Sequence, residues 1–190
     1  MNTLTIIWIV APLVSVILLW AIILFNRLTY RRNQVENAFA SVDAYLKKRY
    51  DLIPNLVAAV QQFMGHEKEV FTEITALRTA ALKTDITGEE KIEINNKINR
   101  ALRSINVAME NYPDLKSDTN ILHLQASLNE VEEQLSAARR AYNSAVMSFN
   151  NSVQLFPSSI IAAMRSFKAK TYLEAIDVER NNINVKELFK

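Results

Sequence analysis

Residues 6–25 of the chain read IIWIVAPLVSVILLWAIILF, and no charged side chain occurs between Met1 and Asn26. A helix rises about 1.5 Å per residue, so roughly 20 apolar residues cross the roughly 30 Å hydrocarbon layer of a bilayer. A helix of a soluble protein normally keeps a polar face toward water, whereas only Pro12 and Ser15 interrupt this run. The sequence therefore predicts a transmembrane anchor over residues 1–27.

A cleaved secretory signal is the alternative interpretation of this segment. Signal peptides begin with positive charge and end at a small-residue cleavage site. Here no basic residue precedes the apolar run, which ends in Ile23-Leu24-Phe25-Asn26-Arg27 without such a site. We therefore expect the segment to be retained.

The orientation of the anchor follows from the distribution of basic residues, which tend to stay on the cytoplasmic side. No Lys or Arg precedes the apolar run, whereas Arg27, Arg31 and Arg32 follow it. These three arginines are predicted to lie at the membrane interface, against lipid headgroups. We expect a short amino terminus outside and a body in the cytoplasm, and the absence of cysteine agrees with a reducing compartment.

The composition of the chain indicates helices. Its 190 residues include only two glycines and four prolines, whereas a β-rich protein needs a turn about every 8–12 residues. The formal net charge is only +2, so the chain lacks the basic field that usually accompanies nucleic-acid binding. We expect an all-α fold in which the anchor is followed, over residues 28–174, by an antiparallel bundle of three long helices and one short helix, with no nucleic-acid partner.

The first helix of the body is predicted from an apolar stripe that follows Leu28. Apolar residues recur there at i, i+4 and i+7: Val35, Phe39, Val42, Leu46, Ile53, Leu56, Val60 and Phe63, then Val70, Ile74, Leu77 and Ala81. Because the stripe keeps its phase, we expect one helix, kinked at Pro54 and softened at Gly65, as far as a turn at Thr84 to Gly88. Thr87-Gly88-Glu89-Glu90 fits a capping box for the next helix.

Two long helices and a short one complete the prediction. The second ends at Tyr112-Pro113-Asp114 and buries Ile94, Ile98, Leu102, Ile105 and Met109. The third begins at Ser117 or Asp118 and ends at Phe156-Pro157. Its rows alternate at spacings of four and three, typical of coiled-coil-like packing: Leu124, Leu128, Val131, Leu135, Ala138, Tyr142, Ala145, Phe149, Ser152 and Phe156. A short fourth segment starts at Ser158 and extends to about Glu174, and residues 175–190 form a tail expected to be flexible or dependent on a partner.

The sequence offers no recognisable set of catalytic or metal-binding residues. It has no glycine-rich phosphate loop and, without cysteine, no thiol nucleophile or zinc–thiolate site. His66-Glu67 begins a zinc-protease pattern, but Val70 occupies the place of the second histidine, and Phe63 and Asn120 stand where a di-iron bundle would need glutamates. We therefore predict no enzymatic activity, no metal and no cofactor.

The basic run Lys47-Lys48-Arg49 has two interpretations. A solvated helix face is preferred, and a contact surface for an acidic partner is the alternative. The wider set formed by Arg49, Asp51, Pro54 and Asn55 combines charge, a proline and an amide on one stretch. We expect its polar groups to be satisfied across helices and to fix the register of the bundle.

The segment Ala38 to Val57, AFASVDAYLKKRYDLIPNLV, resembles the signature of the LemA family, D-x-x-L-K-(K/R)-R-x-D-L-I-P-N-L after a single membrane helix. The likeness continues in order through His66-Glu67, Glu110 to Lys116, Leu124-Gln125, Ala138-Arg139, Tyr142-Asn143 and Phe156-Pro157. The chain departs from the family pattern at Phe39, where Trp is common, at Ser166, where Gly is frequent, and at Leu173, where an aromatic residue is usual.

This resemblance implies an amino-out, membrane-anchored bundle of long antiparallel helices that faces the cytoplasm, in a family with no established enzymatic activity. Some relatives are associated with a membrane metalloprotease of the HtpX type, and MamQ-like relatives with magnetosome membrane formation. The shared motifs make six further residues candidates for structural or interaction roles: Tyr112, Pro113, Tyr142, Asn143, Phe156 and Pro157.

Two functions are compatible with this pattern. The first is a non-enzymatic scaffold that self-assembles and organises or shapes the inner membrane, with membrane lipid and further copies of the chain as partners. The second is an adaptor or accessory protein for a membrane protease or an envelope-stress system, which would bind a membrane-protein partner through the tail at Asn181 to Lys190.

Overall fold

The computed structural model describes residues 3–64, 68–83 and 85–173, and the regular elements in these ranges are all α-helices. They are α1 (Thr3–Gln61), α2 (Lys68–Ala81), α3 (Gly88–Met109), α4 (Pro113–Ser117), α5 (Thr119–Gln154) and α6 (Ser158–Met164). The predicted all-α class is confirmed. Gly65, His66-Glu67, Thr84 and the predicted tail at 175–190 lie outside the described residues.

Helix α1 joins the apolar segment to the body without a break. It contains 59 residues and passes through Pro54. The amino-terminal part of the helix is long and apolar enough to cross a membrane, since its most apolar window has a mean hydropathy of 2.0 and only 6% of it is buried. Among the described residues, no other helix meets this criterion.

The prediction that this helix continues to the turn at residues 84–88 is wrong. It ends at Gln61, where the backbone N–H groups of Phe63 and Met64 both donate to the Val60 carbonyl, at 3.0 and 3.1 Å. Phe63, predicted to be buried, is exposed in this turn. A stripe of constant phase cannot distinguish one helix from two antiparallel helices that face the same core, because both arrangements bury residues with the same spacing.

Helix α2 runs back along α1 instead of extending it. The Arg78 Nε donates to the Tyr50 carbonyl oxygen at 2.9 Å. The carboxyl-terminal end of α2 therefore lies beside Tyr50, well before the end of α1 at Gln61. Phe71 and Ile74 of α2 are buried. Turning back thus gives the apolar face of α2 a partner that a straight helix would not supply.

Helix α3 begins with the predicted capping box. The Glu90 N–H donates to Thr87 Oγ1 at 3.2 Å, and the Thr87 N–H donates to Glu90 Oε2 at 2.7 Å. The helix ends at Met109, and Pro113 then opens α4 at a position where the missing N–H of proline is not needed. The break predicted around Tyr112 therefore contains a short helix that was not predicted.

Helix α5 begins after Asp118, whose Oδ1 accepts from the N–H groups of Asn120 and Ile121 at 2.8 and 3.1 Å. Most of the predicted seam is buried, with Val131, Leu135, Tyr142 and Phe149 among its core members. The prediction that Phe156, the last member of the seam, is buried is wrong, since this residue is 80% exposed. Helix α5 ends at Gln154, so the helical repeat no longer directs the Phe156 ring toward the core.

Helix α6 ends in a Schellman-type turn. The Ser166 N–H donates to the Ala163 carbonyl at 3.2 Å, and the Phe167 N–H donates to the Ala162 carbonyl at 2.9 Å, which are the two hydrogen bonds of that motif. Ser166 has φ of 54°, in the left-handed region that favours glycine. This is the physical reason why a glycine suits the position where this chain has Ser166.

The chain divides into two compact units, of which the first comprises Met1–Ser41 and Ala138–Tyr172. Here α1 and α5 run antiparallel, since Arg31 contacts Ser148 whereas the Phe39 ring lies 5.7 Å from the Tyr142 ring. The buried side chains of this unit include Leu28, Val35, Tyr142, Val146, Phe149 and Ala162.

The second unit comprises Val42–Ala137 and Leu173–Lys190. Its four main helical segments are the end of α1, α2, α3 and the first half of α5, and successive segments run antiparallel. The Gln125 amide reaches Asn106 Oδ1 at 3.4 Å, which places the start of α5 beside the end of α3. The core includes Leu46, Ile53, Leu56, Val60, Ile74, Ile98, Ile105, Ile121 and Leu135. The predicted antiparallel helical bundle is thus confirmed.

Candidate functional site

Arg31, one of the three predicted interface arginines, ties α1 to α5 within the first unit. Its Nη1 donates to the Ser148 carbonyl at 2.9 Å and to Ser152 Oγ. Ser152 Oγ itself donates to the Ser148 carbonyl at 2.9 Å. Because the guanidinium holds its donors in a rigid plane, these contacts fix the register of the two helices.

Arg27 and Arg32 remain exposed. Arg32 Nε lies 3.6 Å from Glu36 Oε1, one helical turn away, and its guanidinium carbon lies 5.9 Å from the centre of the Phe167 ring. Of the three predicted interface residues, one therefore serves the packing of the first unit, and two present their charge to the surroundings.

Arg27 and Arg31 also line a cleft of about 220 Å³ in the first unit, which we call the arginine cleft. Its lining residues come from the end of the apolar run of α1 and from the region where α5 ends and α6 begins: Leu24, Arg27, Leu28, Arg31, Asn151, Ser152, Leu155, Phe156, Pro157 and Ser158. The cleft thus combines two guanidinium groups with two hydroxyl groups and one amide.

A second concave surface of the first unit lies between α1 and α5, and we call it the amide groove. It encloses about 590 Å³ and is lined by Tyr30, Asn33, Gln34, Asn37, Ala141, Ser144, Ala145 and Ser148. The residues contributed by α5 are all small, and those of α1 are amides and one tyrosine. None of the lining residues is charged, although charged residues make up 22% of the chain.

The second unit contains a buried ion pair. Arg49 Nη1 lies 2.7 Å from Glu132 Oε2, and the Arg49 side chain is only 7% exposed against 31% for Glu132. The same nitrogen donates to Asn95 Oδ1 at 3.0 Å. Arg49 therefore joins α1 to both α3 and α5, and a solvated face, the preferred interpretation of the basic run, does not describe this residue.

A polar crevice of about 580 Å³ adjoins the ion pair in the second unit. Its lining is Arg49, Leu56, Asn99, Leu102, Arg103, Asn106, Gln125, Leu128, Asn129 and Glu132. Asn99 is buried, and its Oδ1 has no hydrogen-bond partner among the described residues. The buried Nδ2 of Asn95 also lacks one within that part of the chain. Each such group lowers the free energy of unfolding relative to a satisfied or apolar replacement.

The rest of the Lys47 to Asn55 set lies at the surface of the second unit. Lys48 Nζ reaches Gln134 Oε1 at 3.5 Å, and Asp51 Oδ1 lies 4.0 Å from Arg78 Nη2. Lys47, Pro54 and Asn55 are exposed. The structure therefore brings Arg49, and more weakly Lys48 and Asp51, to other helices, and it leaves the remaining three in contact with solvent.

The motif residues shared with the family are spread over both units. Tyr112 is half-buried ahead of Pro113, which is exposed at the start of α4. Tyr142 is buried and donates from its hydroxyl to the Thr171 carbonyl at 3.2 Å, and Asn143 is half-buried. Pro157 is half-buried behind the exposed Phe156, and the peptide bond between them is cis.

Three buried asparagines were not predicted. Asn150 Nδ2 donates to the Lys170 carbonyl at 2.9 Å, and its Oδ1 accepts from the Lys170 N–H at 2.8 Å, so it holds the chain beyond α6 against α5. Asn95 and Asn99 lie in the buried row of α3 with Ile92 and Leu102. The steps of three, four and three along Ile92, Asn95, Asn99 and Leu102 were the available signal.

The predicted absence of catalytic residues, metal and cofactor stays a prediction. In residues 3–64, 68–83 and 85–173, no three His, Cys, Asp or Glu side chains are grouped so that they could hold a metal ion. His123 is exposed on α5. The contacts described above tie helices together and leave two arginines, a groove and a crevice open to other molecules.

Comparison with known proteins gives matches over most of the chain. The sequence model of the LemA family matches residues 38–186. A protein LemA of Metamycoplasma hominis is 24% identical over 163 residues, which cover 86% of this chain and 74% of the relative. The magnetosome proteins MamQ 1 and MamQ 2 of Paramagnetospirillum magneticum are each 20% identical over 176 residues, covering 80% of this chain and 65% of the relative.

The LemA family is not known as a family of enzymes. The chain spans a little less than two thirds of the length of each MamQ protein, 65%. The matched region begins at the signature segment in the second half of α1 and includes every later helix of the body. Because this match covers well over half of the sequence, the chain belongs to the LemA family.

Proposed function

We propose that this protein is a membrane-anchored, non-enzymatic scaffold that self-assembles and organises or shapes the bacterial inner membrane. The observation that carries the proposal is the continuity of α1, one helix from Thr3 to Gln61. Its first part is apolar enough to span a bilayer, and its following turns supply core residues of the first unit, such as Leu28 and Val35. Because no flexible linker intervenes, the direction in which the anchor leaves the membrane is passed directly to the first unit.

The topology proposed for this anchor is amino terminus outside and body in the cytoplasm. Arg27, Arg31 and Arg32 follow the apolar run, and no basic residue precedes it. Basic residues close to a membrane span are retained on the cytoplasmic side. The exposure of Arg27 and Arg32 supports this topology, because exposed basic side chains next to a membrane span attract anionic headgroups.

The amide groove supports self-assembly. Interface cores are depleted of charge, and the groove has no charged lining residue. The small side chains of Ala141, Ser144 and Ala145 allow the backbone of another helix to approach closely. Amide groups carry both donors and acceptors, so Asn33 and Gln34 of one copy complement the same residues of a second copy about a two-fold axis. A second copy of this chain is therefore the proposed occupant.

Cross-linking in native membranes tests this proposal. The chain contains no cysteine, so Ser144→Cys introduces a single thiol in the groove, and Ser104→Cys provides a control at an exposed position on α3. With a short bifunctional maleimide, we expect a covalent dimer from Ser144→Cys and little from Ser104→Cys. Monomer alone at both positions, or equal dimer at both, contradicts assembly through the groove.

The alternative function is an adaptor or accessory protein for a membrane protease or envelope-stress system. The observation that favours it is the polar crevice of the second unit, in which Asn99 Oδ1 lacks a partner among the described residues. Amide side chains lining such a crevice pair readily with peptide groups. If deletion of Asn181 to Lys190 and the change Asn129→Ala both leave the co-purifying membrane proteins unchanged, this alternative loses its support.

A further inference from the structure

We propose that the turn between α5 and α6 is a second membrane contact: it seats exposed apolar side chains in the bilayer interface and holds the phosphate of an anionic phospholipid in the arginine cleft. The proposal rests on the membrane anchoring proposed above. It adds a lipid-binding surface in a part of the chain far along the sequence from the anchor.

The first observation is a cluster of exposed apolar side chains at this turn, which we call the apolar corner. Leu155, Phe156, Ile160 and Met164 are 62%, 80%, 53% and 76% exposed. Ile160 and Met164 are one helical turn apart and share a face of α6, while Ala162 is buried and fixes α6 to the first unit. Single exposed apolar residues are ordinary, but a contiguous patch marks an interaction site.

The second observation is the level at which the corner lies along α1. The Phe167 ring lies 6.2 Å from the Phe25 ring, and the Arg165 guanidinium lies 5.1 Å from the centre of the Phe25 ring. Leu24 and Leu28 share the arginine cleft with Leu155 and Phe156. The turn therefore packs against the end of the apolar run.

Distances along α1 place this contact in the interfacial layer. Residues 24–32 span about 12 Å at helical rise, and the headgroup region on each side of a bilayer is roughly 5–8 Å deep. An anchor that spans the hydrocarbon layer therefore brings the apolar corner to the boundary between acyl chains and headgroups. Apolar side chains gain from burial at that depth.

The third observation is charge. From Leu155 to Leu173 the sequence contains Arg165, Lys168 and Lys170 and no acidic residue, and these three side chains are exposed. Each basic residue close to an anionic membrane strengthens binding roughly fivefold. An exposed apolar patch beside a purely basic segment is the pattern of an interfacial membrane contact.

The arginine cleft supplies a place for one headgroup. Its volume of about 220 Å³ suits a phosphate group and not a whole lipid, so the acyl chains would leave along the apolar corner. The exposed Arg27 presents a guanidinium group, which pairs with phosphate through two parallel hydrogen bonds. The half-buried Arg31 adds its positive charge to the cleft while its Nη1 donates to Ser148 and Ser152, and the hydroxyl groups of Ser152 and Ser158 in the lining donate to the Ser148 and Leu155 carbonyls.

Depth measurement in vesicles tests the corner. Because the chain has no cysteine, a nitroxide label is placed singly at Phe156→Cys, Met164→Cys, Leu18→Cys in the anchor and Leu122→Cys on the exposed face of α5 in the second unit. The full-length protein is reconstituted in phosphatidylcholine with and without phosphatidylglycerol. Collision rates with oxygen and with a water-soluble nickel chelate then report the depth of each label.

We expect labels at 156 and 164 to be less accessible to the nickel chelate and more accessible to oxygen than the label at 122, at a depth shallower than that of the label at 18, while the label at 122 behaves as in water. Phosphatidylglycerol should deepen the two corner labels. If the label at 18 is in the bilayer but those at 156 and 164 are in water, the second contact is refuted and the anchor stands. If the label at 18 is also in water, the anchoring itself fails.

Lipid retention tests the cleft separately. The variant Arg27→Gln, which removes the exposed guanidinium of the cleft, is compared with Lys47→Gln, which removes the same charge from the second unit. After extraction in mild detergent, native mass spectrometry counts bound phosphatidylglycerol. We expect retention at least about fivefold lower in the first variant and unchanged in the second. Equal retention in both variants refutes a headgroup site at the arginine cleft.

Discussion

Among the residues that the structure describes, Arg49 is one of two arginines, with Arg139, that are almost wholly removed from water. Its charge is met by Glu132 Oε2 at 2.7 Å and by Asn95 Oδ1 at 3.0 Å. Removing one partner of a buried ion pair leaves the other charge uncompensated, which costs far more than the pair itself contributes. The side chains that meet Arg49 should therefore be sensitive positions.

The change Glu132→Gln tests this directly. Because it keeps the shape but removes the counter-charge of Arg49, we expect the free energy of unfolding to fall by about 2–3 kcal/mol, toward the lower end since Glu132 is 31% exposed. Urea denaturation of the full-length protein in detergent measures the change. The exposed neighbour Glu133 is the control, and Glu133→Gln should stay within about 0.5 kcal/mol of the parent. Equal effects at both positions would contradict the role given to Arg49.

The backbone conformation of a second residue, Ser166, lowers the free energy of unfolding. Its φ of 54° is unfavourable for a residue with a Cβ atom, so Ser166→Gly should raise the free energy of unfolding by about 0.5–1 kcal/mol. Ser159→Gly, within helix α6, should lower it by a similar amount. Thermal unfolding of the two variants measures both signs. A loss of stability in Ser166→Gly would show that the left-handed turn is not the relevant constraint.

At this scale the sequence predicted the residues whose partners are close along the chain. The capping box of Thr87 and Glu90 depends on a spacing of three and was foreseen. Arg49 was placed among the polar groups satisfied across helices, but its partners are 46 and 83 positions away, and no local pattern identifies them. Asn95, Asn99 and Asn150 were missed because a polar residue in an apolar row is ordinarily assigned to the edge of the buried face.

At the scale of elements, the predicted helices were correct in type, and the connections between them were the uncertain part. The stripe from Val35 to Ala81 proved to belong to two helices, because α2 reverses direction after Gln61. The break after α3 contains α4, which has only 5 residues and no periodic signal. Helix ends marked by a capping side chain were predicted well, as at Thr87 and Asp118.

The capping box of α3 gives a prediction at this scale. Thr87→Ala removes the hydroxyl that accepts from the Glu90 N–H, so the free energy of unfolding should fall by about 1 kcal/mol. Hydrogen exchange should accelerate in the first turn of α3 before it does so elsewhere in the helix. Thr79→Ala, at an exposed position inside α2, should change stability by less than about 0.5 kcal/mol. Unchanged exchange at the start of α3 would contradict the cap.

The segment beyond α6 is held by the side-chain amide of Asn150. Asn150→Ala removes both hydrogen bonds to the Lys170 backbone and leaves the Lys170 N–H and carbonyl without these partners. We therefore expect the free energy of unfolding to fall by about 1–3 kcal/mol. Exchange of the amides at 167–173 should become faster while the exchange of the α3 amides is unaffected. The matched control is Asn151→Ala, since Asn151 is exposed. Equal exchange in the two variants would show that other contacts hold this segment.

At the scale of the whole molecule, the sequence predicted an anchor and a helical body, and topology is the property that can be tested with single thiols. With the amino terminus outside, a membrane-impermeant maleimide should label Asn2→Cys in intact spheroplasts and should label Ser104→Cys only after the membrane is opened. The opposite pattern would reverse the topology and place the body outside the cytoplasm.

The scaffold function depends on self-assembly, which is tested by the mass of the full-length protein extracted in mild detergent, determined by light scattering with correction for bound detergent. We expect a discrete assembly whose mass is a whole multiple of the protomer mass. Ser144→Glu, by placing a charge in the amide groove, should convert it to monomer, while Ser104→Glu should leave it intact. A monomer in the parent protein at all accessible concentrations would contradict the scaffold and favour the adaptor function.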